Sequence, residues 1–297
     1  MPIGTASTLR LAALALLWGS NFLWIAIALR GTTPTQITLT RLALGALVLL
    51  AVTRAQHLKL PKQPALWFHL TIAALFANVI PYTLFAIAEQ HITSSVTGVI
   101  NATTPIWTAL FAITTATDRH PSPLKLTGLL TGFLGTLLIF SPWQSATQIT
   151  TWGGLAALTA AASYGISYVY MTRHLTNRGH PPLTLSTAQL ITATTQLAII
   201  TPFTGGLHPP NLTWDVLLAL TTLGTLGTGA AYVLNYRLIT DEGTTASTVN
   251  YLLPVVAVIL GAVVLSEPLT TPVTAGMLVV LIGVALTRRI SHPHRRR

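Results

Sequence analysis

Long apolar runs alternate with short polar joints along the whole chain. A helix that crosses the hydrocarbon core of a bilayer needs roughly 17–25 mostly apolar residues. Runs of this length predict ten membrane-spanning helices, at residues 9–29, 35–53, 66–88, 92–116, 124–141, 152–171, 183–203, 214–236, 244–265 and 271–287. Because the joints are short and carry Gly, Pro, Arg or His, we expect an all-α integral membrane bundle of ten transmembrane helices without a soluble domain.

The composition agrees with a lipid environment. Of the 297 residues, 51% are hydrophobic and only 7% are charged, whereas soluble domains carry about 25% charged residues. A water-soluble chain so poor in charge would expose large apolar patches. The chain contains no cysteine, which excludes disulfides, thiolate metal sites and cysteine nucleophiles.

The Lys and Arg residues predict the orientation of the bundle, because such residues collect in short cytoplasmic loops. If the N-terminus is cytoplasmic, fourteen of the 16 basic residues lie on the inner side, Arg30 lies outside and Arg41 lies within the second span. An odd number of spans would break this alternation. We therefore expect both termini in the cytoplasm and a multi-pass protein in the bacterial plasma (inner) membrane.

The net charge of +10 does not indicate a nucleic-acid partner, because the charges are spread over loops and the tail RRISHPHRRR. Nucleic-acid binding needs a clustered basic face on a folded module. We expect the tail to contact anionic membrane lipids instead.

The two halves of the sequence repeat each other at a shift of about 148 residues. Asn101 and Pro105 correspond to Asn250 and Pro254, and a pair of glycines seven residues apart recurs in the last span of each half. The predicted repeats are residues 1–148 and 149–297. Each holds five spans, an odd number, so the second repeat enters the membrane from the opposite side. Inverted repeats of this kind are a recurring design of secondary transporters.

Three stretches of the chain resemble the EamA-type members of the drug/metabolite transporter superfamily. They are LALLWGSNFLWIAIAL near the start, SSVTGVINATTPIWTALFA in the fourth span and NYLLPVVAVILGAVVLSEPLT near the end. The resemblance implies a ten-helix bundle that moves small metabolites, often exporting amino acids or related compounds. It also implies a central cavity lined by the first, third, fourth, sixth, eighth and ninth helices. The chain departs from the family at Asp118-Arg119, where members often have Glu-Arg.

An asparagine stands four residues before a proline in both halves, inside an apolar run. Proline has no N–H to bond the carbonyl four residues earlier, so Asn101 and Asn250 each offer a freed carbonyl as well as an amide. Unsatisfied polar groups are costly in lipid and are tolerated where they face protein or a wet cavity. We expect both asparagines to face inward; the alternative is that they join helices by hydrogen bonds as packing residues.

Aromatic and amide side chains on other spans complete the predicted site, although Trp and Tyr also anchor helices at membrane interfaces. The predicted substrate-binding residues are Trp18, Asn21, Tyr82, Asn101, Thr104, Trp107, Tyr164, Tyr168, Tyr232, Asn235 and Asn250. The predicted kinks that permit gating are at Pro81, Pro105 and Pro254.

Few charged residues lie where they could contact a substrate. Arg41 is well inside a span, and we expect it to extend to the outer surface; pointing inward, it would attract a carboxylate or phosphate. The acidic residues all lie at the ends of spans, which weakens the case for coupling through a carboxylate, although Glu89 could reach inward. His292 and His294 in the tail are not expected to bind metal.

The sequence carries no catalytic constellation and no ATP-binding loop, so we expect no enzyme, no catalytic residue, no metal and no cofactor. The predicted function is secondary transport of an amino-acid-like or drug-like metabolite by alternating access, in the direction of export. A sugar-phosphate or nucleotide-sugar carrier of the same superfamily is the alternative, followed by an intramembrane enzyme. The glycine faces favour close helix packing, and a homodimer contact there is a further expectation.

Overall fold

The computed structural model describes residues 5–118, 121–141, 143, 151–203, 208–265 and 270–289. Over these residues the chain forms α-helices and short helical turns, with no β-strand. The helices are α1 (Thr5–Gly19), α2 (Asn21–Ala28), α3 (Pro34–Ala55), α4 (Pro64–Ala74), α5 (Ile80–Ala88), α6 (Ser94–Asn101), α7 (Thr104–Thr114), α8 (Pro123–Phe140), α9 (Trp152–His174), α10 (Pro182–Ile200), α11 (Trp214–Gly224), α12 (Ala231–Glu242), α13 (Val249–Leu265) and α14 (Thr271–Arg289). Glu267, Arg119 and the basic tail lie outside the described residues.

Eight helical segments of the described chain are long and apolar enough to cross a membrane. They are Thr5–Ala28, Pro34–Ala55, Pro64–Ala88, Val96–Thr114, Pro123–Phe140, Pro182–Phe203, Trp214–Leu260 and Thr271–Arg288. The Trp214–Leu260 segment contains the eighth predicted span and most of the ninth. Helix α9 coincides with the sixth predicted span but is not among the eight, since Gly, Ser, Thr and Tyr interrupt its apolar residues. The count of ten spans therefore stays a prediction.

Two π-helical turns interrupt corresponding spans of the two halves. Leu75–Val79 joins α4 to α5, and Thr225–Ala230 joins α11 to α12. A π turn shifts the backbone hydrogen bonds by one residue and is frequent at functional sites. Side chains of other helices bond to carbonyls in these turns: Tyr232 Oη donates to the Ala77 carbonyl at 3.0 Å, and Trp18 Nε1 donates to the Gly227 carbonyl at 3.2 Å.

The prolines predicted to interrupt helices behave differently in the two halves. Pro81 lies in the first turn of α5, directly after a π turn. Pro105 lies in the first turn of α7, which begins after α6 ends at Asn101. In the second half α13 continues through Pro254, so the helix end before Pro105 has no counterpart there, and the kink at Pro254 stays a prediction.

Helices α8 and α14 pack against each other through their glycines. A Cβ atom on Gly283 would lie 2.3 Å from the Gly132 nitrogen, and one on Gly135 would lie 2.5 Å from the Val280 nitrogen. Such distances leave no room for any side chain, so the two backbones touch. These glycine faces therefore pack within the chain, as the sequence favours, and the homodimer stays a prediction.

Polar contacts join the two halves at both ends of the bundle. At one end Arg10 on α1 pairs with Asp241 on α12. Beside it Glu242 accepts from Ser7 and pairs with Arg288 on α14, whose Nε lies 3.0 Å from the carboxylate. At the other end the backbone N–H of Asn211 donates to the Gly31 carbonyl at 2.8 Å.

Candidate functional site

A cavity of about 50 Å³ lies among helices of both halves, on α1, α2, α3, α5 and α6 of the first and α9 and α13 of the second. Its lining residues are Trp18, Asn21, Ile25, Arg41, Tyr82, Phe85, Asn101, Tyr164, Tyr168, Asn250 and Leu253. The volume has room for a few water molecules. A metabolite can enter only if the lining helices move apart.

Asn101 and Asn250 lie side by side in the wall of this cavity. The Nδ2 of Asn101 donates to the Oδ1 of Asn250 at 3.5 Å, and both side chains are 3% exposed. Asn101 also accepts from Thr104 Oγ1 at 3.4 Å, and Asn250 Nδ2 donates to the Ser247 carbonyl at 2.9 Å. The two amides thus form one polar patch that contains a residue from each half.

Arg41 is buried and faces the cavity, at 3% exposure. Its Nε donates to Thr228 Oγ1 at 3.0 Å, and its guanidinium carbon lies 4.0 Å from the centre of the Tyr82 ring. With the Asn21 amide oriented to satisfy its neighbours, Arg41 Nη2 donates to Asn21 Oδ1 at 3.2 Å. The prediction that Arg41 extends to the outer surface is therefore wrong, because neighbouring side chains hold the guanidinium inside the bundle.

The corresponding residue of the second half, Gln189, is buried and already has hydrogen-bonding partners. Its Nε2 donates to Asn78 Oδ1 at 2.8 Å, and its Oε1 accepts from the Tyr236 hydroxyl. Gln189 is not among the cavity-lining residues. Among the described residues, the positive charge at the cavity therefore comes from the first half alone.

Aromatic rings form most of the remaining wall. The rings of Tyr164 and Phe85 lie 5.8 Å apart, and those of Tyr164 and Tyr82 lie 6.4 Å apart in an edge-on arrangement. Tyr168 reaches past the wall and donates to Asn235 Oδ1 at 3.4 Å. Rings around a few polar groups are typical of sites that bind a small molecule with an apolar body.

Seven of the predicted site residues line the cavity, and four lie elsewhere. The seven are Trp18, Asn21, Tyr82, Asn101, Tyr164, Tyr168 and Asn250. Thr104 and Asn235 stand behind the wall as hydrogen-bonding partners of lining residues. Trp107 stacks on Phe111 and packs against Gly165. The Tyr232 hydroxyl donates to the Ala77 carbonyl in the first π turn, and Tyr232 does not line the cavity.

The set of lining helices differs from the expected one. The second span contributes Arg41, while the eighth contributes no lining residue and reaches the site through Thr228, which holds Arg41. Ile25 and Leu253 also line the cavity. Sequence reasoning missed them because aliphatic residues in an apolar helix carry no signal of which face they occupy.

Glu89 follows the last residue of α5, and both oxygens of its carboxylate are buried. Neither carboxylate oxygen has a hydrogen-bonding partner among the described residues. This burial raises the pKa of Glu89 to about 8, although the nearby positive charge of Arg41 opposes the shift. No group of three or more His, Asp or Glu side chains that could hold a metal ion occurs within the described ranges.

Comparison with known proteins gives consistent matches over the whole chain. The sequence model of the EamA-like transporter family matches twice, at residues 7–141 and 151–289. A protein named "Uncharacterized transporter" from Archaeoglobus fulgidus is 24% identical over 290 residues, which are 96% of this chain and 98% of that one. The "Uncharacterized inner membrane transporter YedA" of Escherichia coli K12 is 24% identical over 93% of this chain and 88% of its own.

One solved crystal structure superposes with a TM-score of 0.75, over 96% of this chain and 98% of that one, at 18% sequence identity. At this identity the likeness supports the fold alone.

Proposed function

Because the chain belongs to the EamA-like transporter family, we propose that this multi-pass membrane protein is a secondary transporter that carries a small metabolite by alternating access. In this proposal the cavity is the substrate site and the two halves are inverted repeats. The ten spans place both termini in the cytoplasm of a bacterial cell, and the direction of transport is export.

The observation that carries the proposal is the composition of the cavity wall. Asn101 and Asn250 each stand four residues before a proline in their own half, and their amides meet at this one cavity. A site built from both halves changes its access when the halves move relative to each other, and substrate sites of inverted-repeat transporters lie at this interface.

Such a motion requires contacts between the halves that can open at either end of the bundle, and contacts of this kind are present at both ends. The ion pair of Arg10 with Asp241 and the hydrogen bond from Ser7 to Glu242 join the halves at the end assigned to the cytoplasm. The Asn211 to Gly31 bond joins them at the end assigned to the outside. Opening toward either side requires one set of contacts to separate while the other stays closed, which is the alternating-access scheme.

The alternative of a sugar-phosphate or nucleotide-sugar carrier is less well supported. Phosphate groups carry up to two negative charges and are bound by clusters of Arg and Lys. Arg41 is the one basic residue that lines the described cavity. The site therefore suits a substrate with at most one negative charge.

The proposal is tested by flux measurements on the purified protein in liposomes. Labelled amino acids and other small metabolites are followed in both directions, with and without a pH gradient. We expect saturable movement of at least one compound that protein-free liposomes do not show. If reconstituted protein with a normal unfolding transition moves none of them, the proposed function is wrong.

A further inference from the structure

Nearly every acidic residue of the described chain has a basic partner. Four pairs are present: Asp118 with Lys125, Asp215 with Arg30, Asp241 with Arg10, and Glu242 with Arg288. Within the described ranges the exception is Glu89, whose two oxygens have no partner. Arg41 is likewise buried and has no carboxylate within 4.0 Å in the described residues, whereas the buried Arg288 is paired with Glu242.

An unpaired buried cation is expensive, and its charge demands a counterion. Arg41 donates to Thr228 and Asn21, and its remaining N–H groups have no acceptor in the part of the chain that the structure describes. Since Arg41 lines the cavity, a ligand in the cavity can reach these free N–H groups. A carboxylate is the group whose two oxygens match the planar guanidinium.

The second residue to consider is Glu89, whose carboxylate can interact with the positive charge of Arg41. It lies four residues after Phe85, hence on the same face of the helix one turn further, and helical side chains lean back toward the N-terminus. Phe85 lines the cavity, and one turn further both oxygens of the Glu89 carboxylate are buried without a partner among the described residues. Arg41 is also the charged group that acts electrostatically on the Glu89 carboxylate.

Resting on the proposed transport function, we propose that the substrate is a monocarboxylate with an aromatic or apolar body, that Arg41 binds its carboxylate, and that Glu89 is the alternative counterion of Arg41. While Glu89 is neutral, the guanidinium charge of Arg41 is left for the substrate anion to balance. Once Glu89 has lost its proton, its carboxylate supplies a competing negative charge near Arg41 and weakens binding of the anion.

The surroundings of Glu89 leave Arg41 as its charged neighbour. Helix α5 packs against α3, α9 and the first π turn. Helix α3 presents Arg41, and α9 presents Tyr164, which is neutral at physiological pH. Tyr82 on α5 is neutral likewise, the π turn has no titratable residue, and the side chain of His91 in the following loop is exposed.

The direction of the pH effect follows from the charge states. Below pH 8 the raised pKa keeps Glu89 protonated, and Arg41 is free to bind an anion. Above pH 8 Glu89 is ionised and competes with the anion for Arg41. Binding of a carboxylate therefore weakens as the pH rises through about 8.

The test is calorimetric binding of phenylacetate and indole-3-acetate to the purified full chain in detergent, each paired with its uncharged amide. We expect both acids to bind about tenfold or more tightly than their amides, a difference that one lost charged hydrogen bond accounts for. Affinity for the acids should fall about tenfold between pH 7 and pH 9. In Glu89→Gln the acids should bind with no dependence on pH, and in Arg41→Gln they should not bind.

Matched controls separate these effects from misfolding. Arg41→Lys keeps the charge and should keep part of the affinity, whereas Arg30→Gln and Asp118→Asn remove exposed or loop charges and should leave binding unchanged. Amides that bind as well as the acids, no binding of either acid, or an unaltered pH profile in a folded Glu89→Gln protein would overturn the inference. Carboxylate binding without flux in liposomes would instead reject the transport function alone, and flux confined to neutral or cationic compounds would reject this inference alone.

Discussion

The side-chain amides of Asn101 and Asn250, 149 residues apart in sequence, meet across the two halves of the chain at 3.5 Å. The contact is at the long limit of a hydrogen bond, and each amide has another partner in its own half. The bond between the halves is consequently weaker than the 2.9 Å bond that orients Asn250, and it is comparable to the 3.4 Å bond between Thr104 and Asn101. Separation of the halves would leave both amides in place and free to receive a substrate.

Replacing either asparagine by leucine should stop transport without unfolding the protein. The side chains have similar volume, but leucine removes the polar group from the cavity wall. We expect flux of any transported compound to fall about a hundredfold or more, which corresponds to the loss of one or two buried hydrogen bonds. Gln56→Leu, at an exposed position at the end of α3, is the control. Normal flux in both Asn101→Leu and Asn250→Leu would contradict the assignment of the site.

The two ion pairs at the end of α12 should differ in their contribution to stability. Glu242→Gln leaves the buried Arg288 without a counterion, which we expect to lower the free energy of unfolding by about 3 kcal/mol. Asp241→Asn breaks the more exposed pair with Arg10, for which about 0–1 kcal/mol is expected. Unfolding curves in detergent measure both values, and equal losses would show that burial does not distinguish the pairs.

Because α8 and α14 pack closely, replacing a glycine by alanine should destabilise the protein at this contact and not at a roomier position. In Gly283→Ala the new Cβ would lie 2.3 Å from the Gly132 nitrogen, and overpacking of this kind costs about 1–3 kcal/mol. In Gly229→Ala the nearest atom would be 3.5 Å away, an ordinary contact. A lower midpoint of thermal unfolding is expected for the first variant and not for the second.

The inverted topology can be checked with single cysteines, because the chain has none. Lys62 and Leu212 lie in corresponding loops of the two repeats, so inversion predicts opposite sides. We expect a membrane-impermeant maleimide to label Leu212→Cys in intact cells and Lys62→Cys only after the cells are opened. His180→Cys, beyond α9, should behave like Lys62→Cys. Labelling of His180→Cys from outside would show that α9 does not cross the membrane.

Much of the cavity was predictable because its polar residues stand out against an apolar background. Asn101 and Asn250 share a spacing to proline, and Trp18 and Asn21 share a helical face. An amide inside a span has few tolerable environments, so its inward orientation follows from the cost of exposing it to lipid. All four residues line the cavity.

The orientation of single helices could not be predicted in the same way. Whether Arg41 faces outward or inward depends on the rotation of α3, which is set by Thr228 and Asn21, distant in sequence. Trp107 and Tyr232 lie on spans that contribute to the site or its surroundings but face other helices. Helix α13 continues through Pro254, whereas Pro105 follows the end of a helix. A proline at the corresponding position of each half therefore does not produce the same backbone conformation in both.

The two π turns make the third and eighth spans sensitive to the number of residues that they contain. An α-helix rotates by about 100° per residue, and a π turn absorbs one residue that a regular helix would have no place for. The turn at Thr225–Ala230 thus sets the angular phase of α12, on which Tyr232, Asn235 and Tyr236 depend for their partners. Deleting one residue there would swing all three to another face, whereas the same deletion in a surface loop would leave them where they are.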